Sequence, residues 1–141
     1  MNIVTKQFKA EIAHRLAGHP GGCQYIHGHS YTFEVSVAGD LSKGGMVIDF
    51  KDLGMIVKEV IGDWDHSLLL DEADPLAAAM SGLAGVRLIT FPGRPTAERM
   101  AEHLGKAVDK AVACFTSGGI RARSVIVWET ETSYATWRRP A

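Results

Sequence analysis

Two cysteines, five prolines and a formal net charge of -1 leave little with which to build several common kinds of protein. Two thiols cannot staple a small secreted fold, and in a reducing compartment Cys23 and Cys114 are expected to be free. The near-zero charge supplies no basic field for nucleic acid. No apolar run approaches the roughly 20 residues that cross a bilayer, and the first residues, Met1 to Lys6, lack the apolar core of a signal peptide. A cytoplasmic protein with neither nucleic-acid nor membrane partners is the expectation. The chain also lacks internal repeats, low-complexity tracts and linkers. With 141 residues and 46% hydrophobic content it holds one core rather than two, so a single domain over residues 1–141 is expected.

What the chain does have is histidine in a telling pattern. His27 and His29 are spaced i, i+2, so on an extended backbone both imidazoles leave one face. His14 closes a stretch in which Phe8, Ala10 and Ile12 share its parity, which makes it the last inward residue of a strand. Three neutral imidazoles without a fourth protein ligand describe a zinc site with an open position, the catalytic arrangement. An isolated histidine is ordinarily a packing or surface residue; three in this spacing, with Cys23 four positions before the pair, point to a metal. Cys114 closes an apolar helical pattern and reads as a buried packing residue.

The remaining pattern alternates strands and helices. Tyr31, Phe33, Val35 and Val37 alternate with polar residues as a half-buried strand, and His27 and His29 share their parity. Gly44-Gly45 signals a hairpin, with Met46 to Phe50 as its returning strand. Leu53, Ile56, Val57, Val60 and Ile61 form the stripe of an amphipathic helix. Residues 86 to 91 suit a short strand, while 71 to 85 remain ambiguous. A second helix starts at Thr96 as N-cap, carries Glu98 in its first turn and stops at Ser117-Gly118-Gly119. Ser124 to Thr130 reads as the last strand and Arg138 to Ala141 as a frayed tail. The class is α+β, two helices on one face of a mostly antiparallel sheet of four or five strands, whose exposed edges invite pairing with further copies.

In order along the chain stand Ala13-His14-Arg15-Leu16, Cys23 followed after three residues by His27-Gly28-His29-Ser30, Asp49-Phe50, Asp65-His66-Ser67-Leu68-Leu69, Pro95-Thr96-Ala97-Glu98 and Glu129-Thr130. This set resembles the 6-pyruvoyltetrahydropterin synthase superfamily over nearly the whole chain, most closely its 6-carboxy-tetrahydropterin synthase branch of queuosine and other deazapurine biosynthesis. The resemblance implies a tunnelling fold (T-fold), in which three subunits join sheets into a barrel and two rings stack into a hexamer. It implies zinc on His14, His27 and His29, a catalytic trio of Cys23 with Asp65 and His66 contributed across an interface, Glu129 as anchor of the pterin, and Thr96 as a further contact. Where the family commonly has Asn before Pro-Thr, this chain has Arg94.

The implied substrate is 7,8-dihydroneopterin triphosphate. A carboxylate such as Glu129 accepts the pterin's amino and ring N–H hydrogens side by side; Glu131, of the same parity, competes for that role. Zinc would act as a Lewis acid toward charge developing on side-chain oxygens. Cys23 would transfer protons, and His66, oriented by Asp65, would supply a second relay. His19, Arg15 and Lys51 are candidate triphosphate contacts; His19 and His103 are otherwise dispensable. Three residues between the cysteine and the His-Gly-His unit resemble the carboxy-forming branch, whose products are 6-carboxy-5,6,7,8-tetrahydropterin, acetaldehyde and triphosphate. The alternatives are a 6-pyruvoyltetrahydropterin synthase, a zinc hydrolase of unrelated substrate in which Cys23 is incidental, and a non-catalytic pterin or purine binder.

Overall fold

The computed structural model describes residues 1–141. Two long alternating segments dominate it. β1 (Asn2–His14) and β2 (His27–Gly39) pair antiparallel over their full lengths, with His14 opposite His27 and Ile12 opposite His29. One face of this ribbon carries Phe8, Ala10, Ile12, Tyr31, Phe33, Val35 and Val37, all buried. Two helices cover that face. α1 (Phe50–Ile61) turns Leu53, Ile56, Val57 and Ile61 inward, and α3 (Ala97–Phe115) turns Met100, Leu104, Val108 and Val112 inward, so that one cluster of 25 buried residues forms the main core.

Four more strands complete the sheet: β3 (Ser67–Asp71), β4 (Leu88–Phe91), β5 (Ile120–Trp128) and β6 (Tyr134–Arg138), in the order β4-β3-β1-β2-β5-β6. β1 pairs with β3 in parallel through Ile12, Ala13 and His14 alone, which leaves the outer edge of β1 unpaired over most of its length. The short helix α2 (Pro75–Met80) stands between β3 and β4. Trp137 of β6 lies flat on α3 at Gly105, where a Cβ would fall 2.0 Å from the indole.

Several expectations need correction. Met46 to Phe50 is not a returning strand: Gly45 donates to the Ser42 carbonyl to form the turn, Val47 and Ile48 sink into the core, and the Asp49 carboxylate accepts from Lys51 N–H to start α1. That cap captures the backbone for a helix before any ladder forms. The sheet has six strands, and its β1–β3 and β3–β4 pairs are parallel. β3 shows no alternation, because a strand covered on both faces is apolar throughout. Arg138 belongs to β6 and Arg139 donates to Asp109, so the tail is tied rather than frayed up to that point. β5 ends at Trp128, which puts Glu129 in the turn that follows it. Cys114 is exposed: the buried stripe of α3 ends at Val112, and two residues further on the chain has turned about 200° around the helix axis.

Candidate metal centre and active site

The β1–β2 register brings the three histidines together. His14, His27 and His29 each offer a ring nitrogen, and the three lie within 4.8 Å of one another. His14 Nδ1 sits 2.8 Å from the Pro95 carbonyl and His27 Nδ1 2.7 Å from the Tyr25 carbonyl. A carbonyl only accepts, so each Nδ1 carries the hydrogen and each Nε2 is left with a lone pair. Those two Nε2 atoms face each other at 3.1 Å. Two unprotonated nitrogens gain nothing from such an approach unless a cation lies between them, and about 3.3 Å is the spacing of two nitrogens bound to one tetrahedral zinc. His29 Nε2 is buried with no hydrogen-bond partner at all. An orphaned acceptor beside two converging lone pairs fits a divalent cation.

Burial holds His14 below the ordinary imidazole value, with the Pro95 carbonyl and Glu129 opposing the shift; burial likewise lowers His29. Both are therefore neutral near pH 7, the form that ligates. Glu129 Oε1 approaches His14 Nε2 at 3.4 Å and His29 Nε2 at 3.7 Å. Tyr31, fully buried, directs its hydroxyl at the same carboxylate (3.4 Å), and burial keeps that hydroxyl protonated. Glu129 thus stands beside the imidazole group, while Glu131 lines a different depression with Lys9 and Trp128.

A cavity of about 380 Å³ opens next to this group, lined by His19, Arg94, Thr96, Glu98, Glu129 and Tyr134 among others. Thr96 Oγ1 accepts from Arg99 N–H as the cap of α3, which leaves its hydroxyl hydrogen free for a ligand. Cys23 is half-buried in a single tight turn, Gly22–Gln24, and lies outside the imidazole group.

Asp65 and His66 are also apart from it. Their side chains pair at 3.0 Å, yet they are 53% and 75% exposed. Both are pinned to the edge of β1: Glu11 N–H donates to Asp65 Oδ1, and His66 N–H donates to the Glu11 carbonyl. The Glu11 N–H first, and His66 second, hold the Asp65 carboxyl below its usual value. His66 has φ of +59°, a left-handed conformation that non-glycine residues seldom adopt. Within one chain, then, the imidazole triad and Glu129 converge, Thr96 lines a cavity with Glu129, and the Asp65–His66 pair faces outward.

Sequence reasoning missed Tyr31, the Pro95 carbonyl and the place of Glu98 in the cavity. Tyr31 shares parity with His27 and His29, a signal that equally describes a core residue. The role of a backbone carbonyl has no side-chain signature.

The family model described as 6-pyruvoyl tetrahydropterin synthase matches residues 3–140. The chain belongs to this family. Its members named 6-carboxy-5,6,7,8-tetrahydropterin synthase include the Haemophilus influenzae protein, 35% identical with 96% of this chain and 97% of that one covered. The Aquifex aeolicus protein of the same name is 33% identical, with 96% of each chain covered. Among solved structures, an uncharacterized protein from Wolinella succinogenes superposes with a TM-score of 0.81 at 20% identity, covering 99% of this chain and 98% of that one. The Plasmodium falciparum 6-pyruvoyl tetrahydropterin synthase superposes with a TM-score of 0.73 at 20% identity over the same shares. The fold is the T-fold of these pterin synthases, and the family is one of enzymes.

Proposed function

We propose that the protein is a zinc-dependent 6-carboxy-5,6,7,8-tetrahydropterin synthase that cleaves the side chain of 7,8-dihydroneopterin triphosphate. Atom balance requires uptake of one water to give the carboxypterin, acetaldehyde and triphosphate. The observation that carries the reading is the convergence of His14, His27 and His29, two Nε2 atoms face to face and the third without a partner, inside a chain whose full-length relatives bear this name.

Zinc held by the three imidazoles would supply Lewis-acid stabilisation of negative charge on the side-chain oxygens. The chain's own residues do the rest. Cys23 takes a proton from the side-chain carbons, and His66, oriented by Asp65, relays a second. Glu129 and Glu98 are the two carboxylates of the cavity able to accept the pterin's paired N–H groups. The contacts of Glu129 with His14, His29 and Tyr31 occupy one of its oxygens, which favours a share of the anchoring for Glu98. Thr96 contributes a donor.

The outward-facing Asp65–His66 pair and the unpaired edge of β1 support an assembly in which a second copy completes each site: three sheets joined into a barrel, and two rings in a homohexamer. No helix is long and apolar enough to cross a membrane, and we place the enzyme in the cytoplasm. The test is to incubate the zinc-loaded protein with 7,8-dihydroneopterin triphosphate and weigh the products. Acetaldehyde with 6-carboxytetrahydropterin supports the proposal; 6-pyruvoyltetrahydropterin without acetaldehyde assigns the other branch, and unchanged substrate leaves a binder.

A further inference from the structure

We infer that Arg15 and Asp74 form a clamp that positions the turn bearing Cys23, so that this pair sets where the thiol stands relative to the metal centre; the inference rests on the role proposed above for Cys23. Arg15 follows His14 directly, at the point where β1 gives way to the loop. Its guanidinium grips the Asp74 carboxylate with two branches, Nε to Oδ2 at 2.6 Å and Nη2 to Oδ1. The third branch, Nη1, reaches the Gln24 carbonyl at 3.4 Å. One residue on, Leu16 N–H donates to the Cys23 carbonyl at 2.7 Å. The turn Gly22–Gln24 is therefore held from the end of β1 at two consecutive carbonyls, one by backbone and one by Arg15.

Asp74 is the fixed end of this arrangement. Its side chain is fully buried, and Oδ1 also accepts from Leu76 N–H as the cap of α2. Arg15 is 21% exposed, with its planar fork matched to a carboxylate that cannot move. No other side chain is bonded to the backbone of the turn from outside the loop. A half-buried thiol on a short turn rich in glycine would otherwise sample several positions, and proton transfer falls steeply once donor and acceptor leave hydrogen-bond reach.

The experiment uses full-length, zinc-loaded protein with Cys114→Ser, so that Cys23 is the only thiol. Arg15→Lys keeps the charge and loses the fork; Asp74→Asn keeps the size and the cap to Leu76 and loses the charge. Each should lower kcat by about 10-fold or more, in line with the cost of misplacing a proton-transfer group, while KM and zinc content stay close to those of the parent. Alkylation of Cys23 by iodoacetamide should accelerate several-fold in both. In a Cys23→Ala background Arg15→Lys should change the residual kcat by less than about twofold, because residues that act as a unit are not additive.

An equal loss with and without the thiol would overturn the clamp, as would a rise in KM alone, which would make Arg15 a contact of the triphosphate. Unchanged alkylation would overturn it too. If Cys23→Ala itself kept full turnover, the catalytic role of the thiol would fall, and the alkylation rates would still decide whether Arg15 and Asp74 hold the turn.

Discussion

The two histidine groups of this chain differ in almost every physical respect. His14, His27 and His29 are brought together by one strand pair, His14 buried and the other two half-buried, with His14 and His27 fixed in tautomer by backbone carbonyls, whereas His66 with Asp65 stands on the rim of β1, mostly exposed, and His66 has a left-handed backbone conformation. The first group is finished within a single chain apart from the ion that its lone pairs call for. The second is held through Asp65 and Glu11 at the surface, where its side chains meet solvent rather than the triad. In the assembly proposed above, such a division would let one surface preorganise the metal while another copy brings the proton relay to it.

The largest effects should come from breaking the finished half. His27→Ala or His29→Ala leaves two imidazoles, and both copurified zinc and turnover should drop below detection by metal analysis and product assay. Full zinc occupancy in the double variant would sink the site. Next, Cys23→Ala and His66→Ala should each lose on the order of 10²-fold or more in turnover while retaining zinc, the usual scale for a general base or acid. Mixing those two variants under conditions that exchange subunits should restore part of the activity if the halves meet across an interface; no recovery would place both residues in one chain's site.

Smaller effects sharpen the boundary between the halves. Glu98→Ala and Glu129→Ala should both raise the Kd for a pterin, measured by fluorescence quenching, by about 10-fold or more for a charge-assisted hydrogen bond. Only Glu129→Ala should also alter zinc retention, because only Glu129 touches the imidazoles. Gly105→Ala drives a methyl group into Trp137, and the overpacking should cost about 1–3 kcal/mol of stability by denaturant titration, with no change in zinc content.

The smallest is a pH effect. Arg121 above all, with Ala122 N–H and Arg139, holds the Asp109 carboxyl below its usual value. Its folded value lies beneath its unfolded one, so the stabilisation is present in full above about pH 4, the unfolded value, and is lost as pH falls through the folded value. The thermal midpoint of the parent should therefore fall more steeply between about pH 5 and 3 than that of Asp109→Asn.

Much of this was legible beforehand where periodicity speaks directly. The alternations that end at His14 and begin at His27 fixed two strands and the face on which the imidazoles meet, and the α1 and α3 stripes were equally clear. Legibility failed where burial on both sides erases alternation, as in Leu68-Leu69-Leu70, and where a cap competes with a strand, as at Asp49. It failed again at Cys114, whose apolar neighbourhood in sequence concealed its position around the helix. Within the site, the grouping of the three imidazoles was readable from spacing, but the hydroxyl of Tyr31 and the carbonyl of Pro95 were not, because their contacts join residues 98 and 81 positions apart.

The full-length pairing of β1 with β2 has one more implication. Because His14 lies opposite His27, sliding one strand past the other by a single residue would send His27 and His29 to the far side of the sheet from His14. Strand alignment and assembly of the three-nitrogen group are therefore a single event: the register that buries Phe8 against Phe33 is the same one that gathers the imidazoles, and a chain paired out of step has neither.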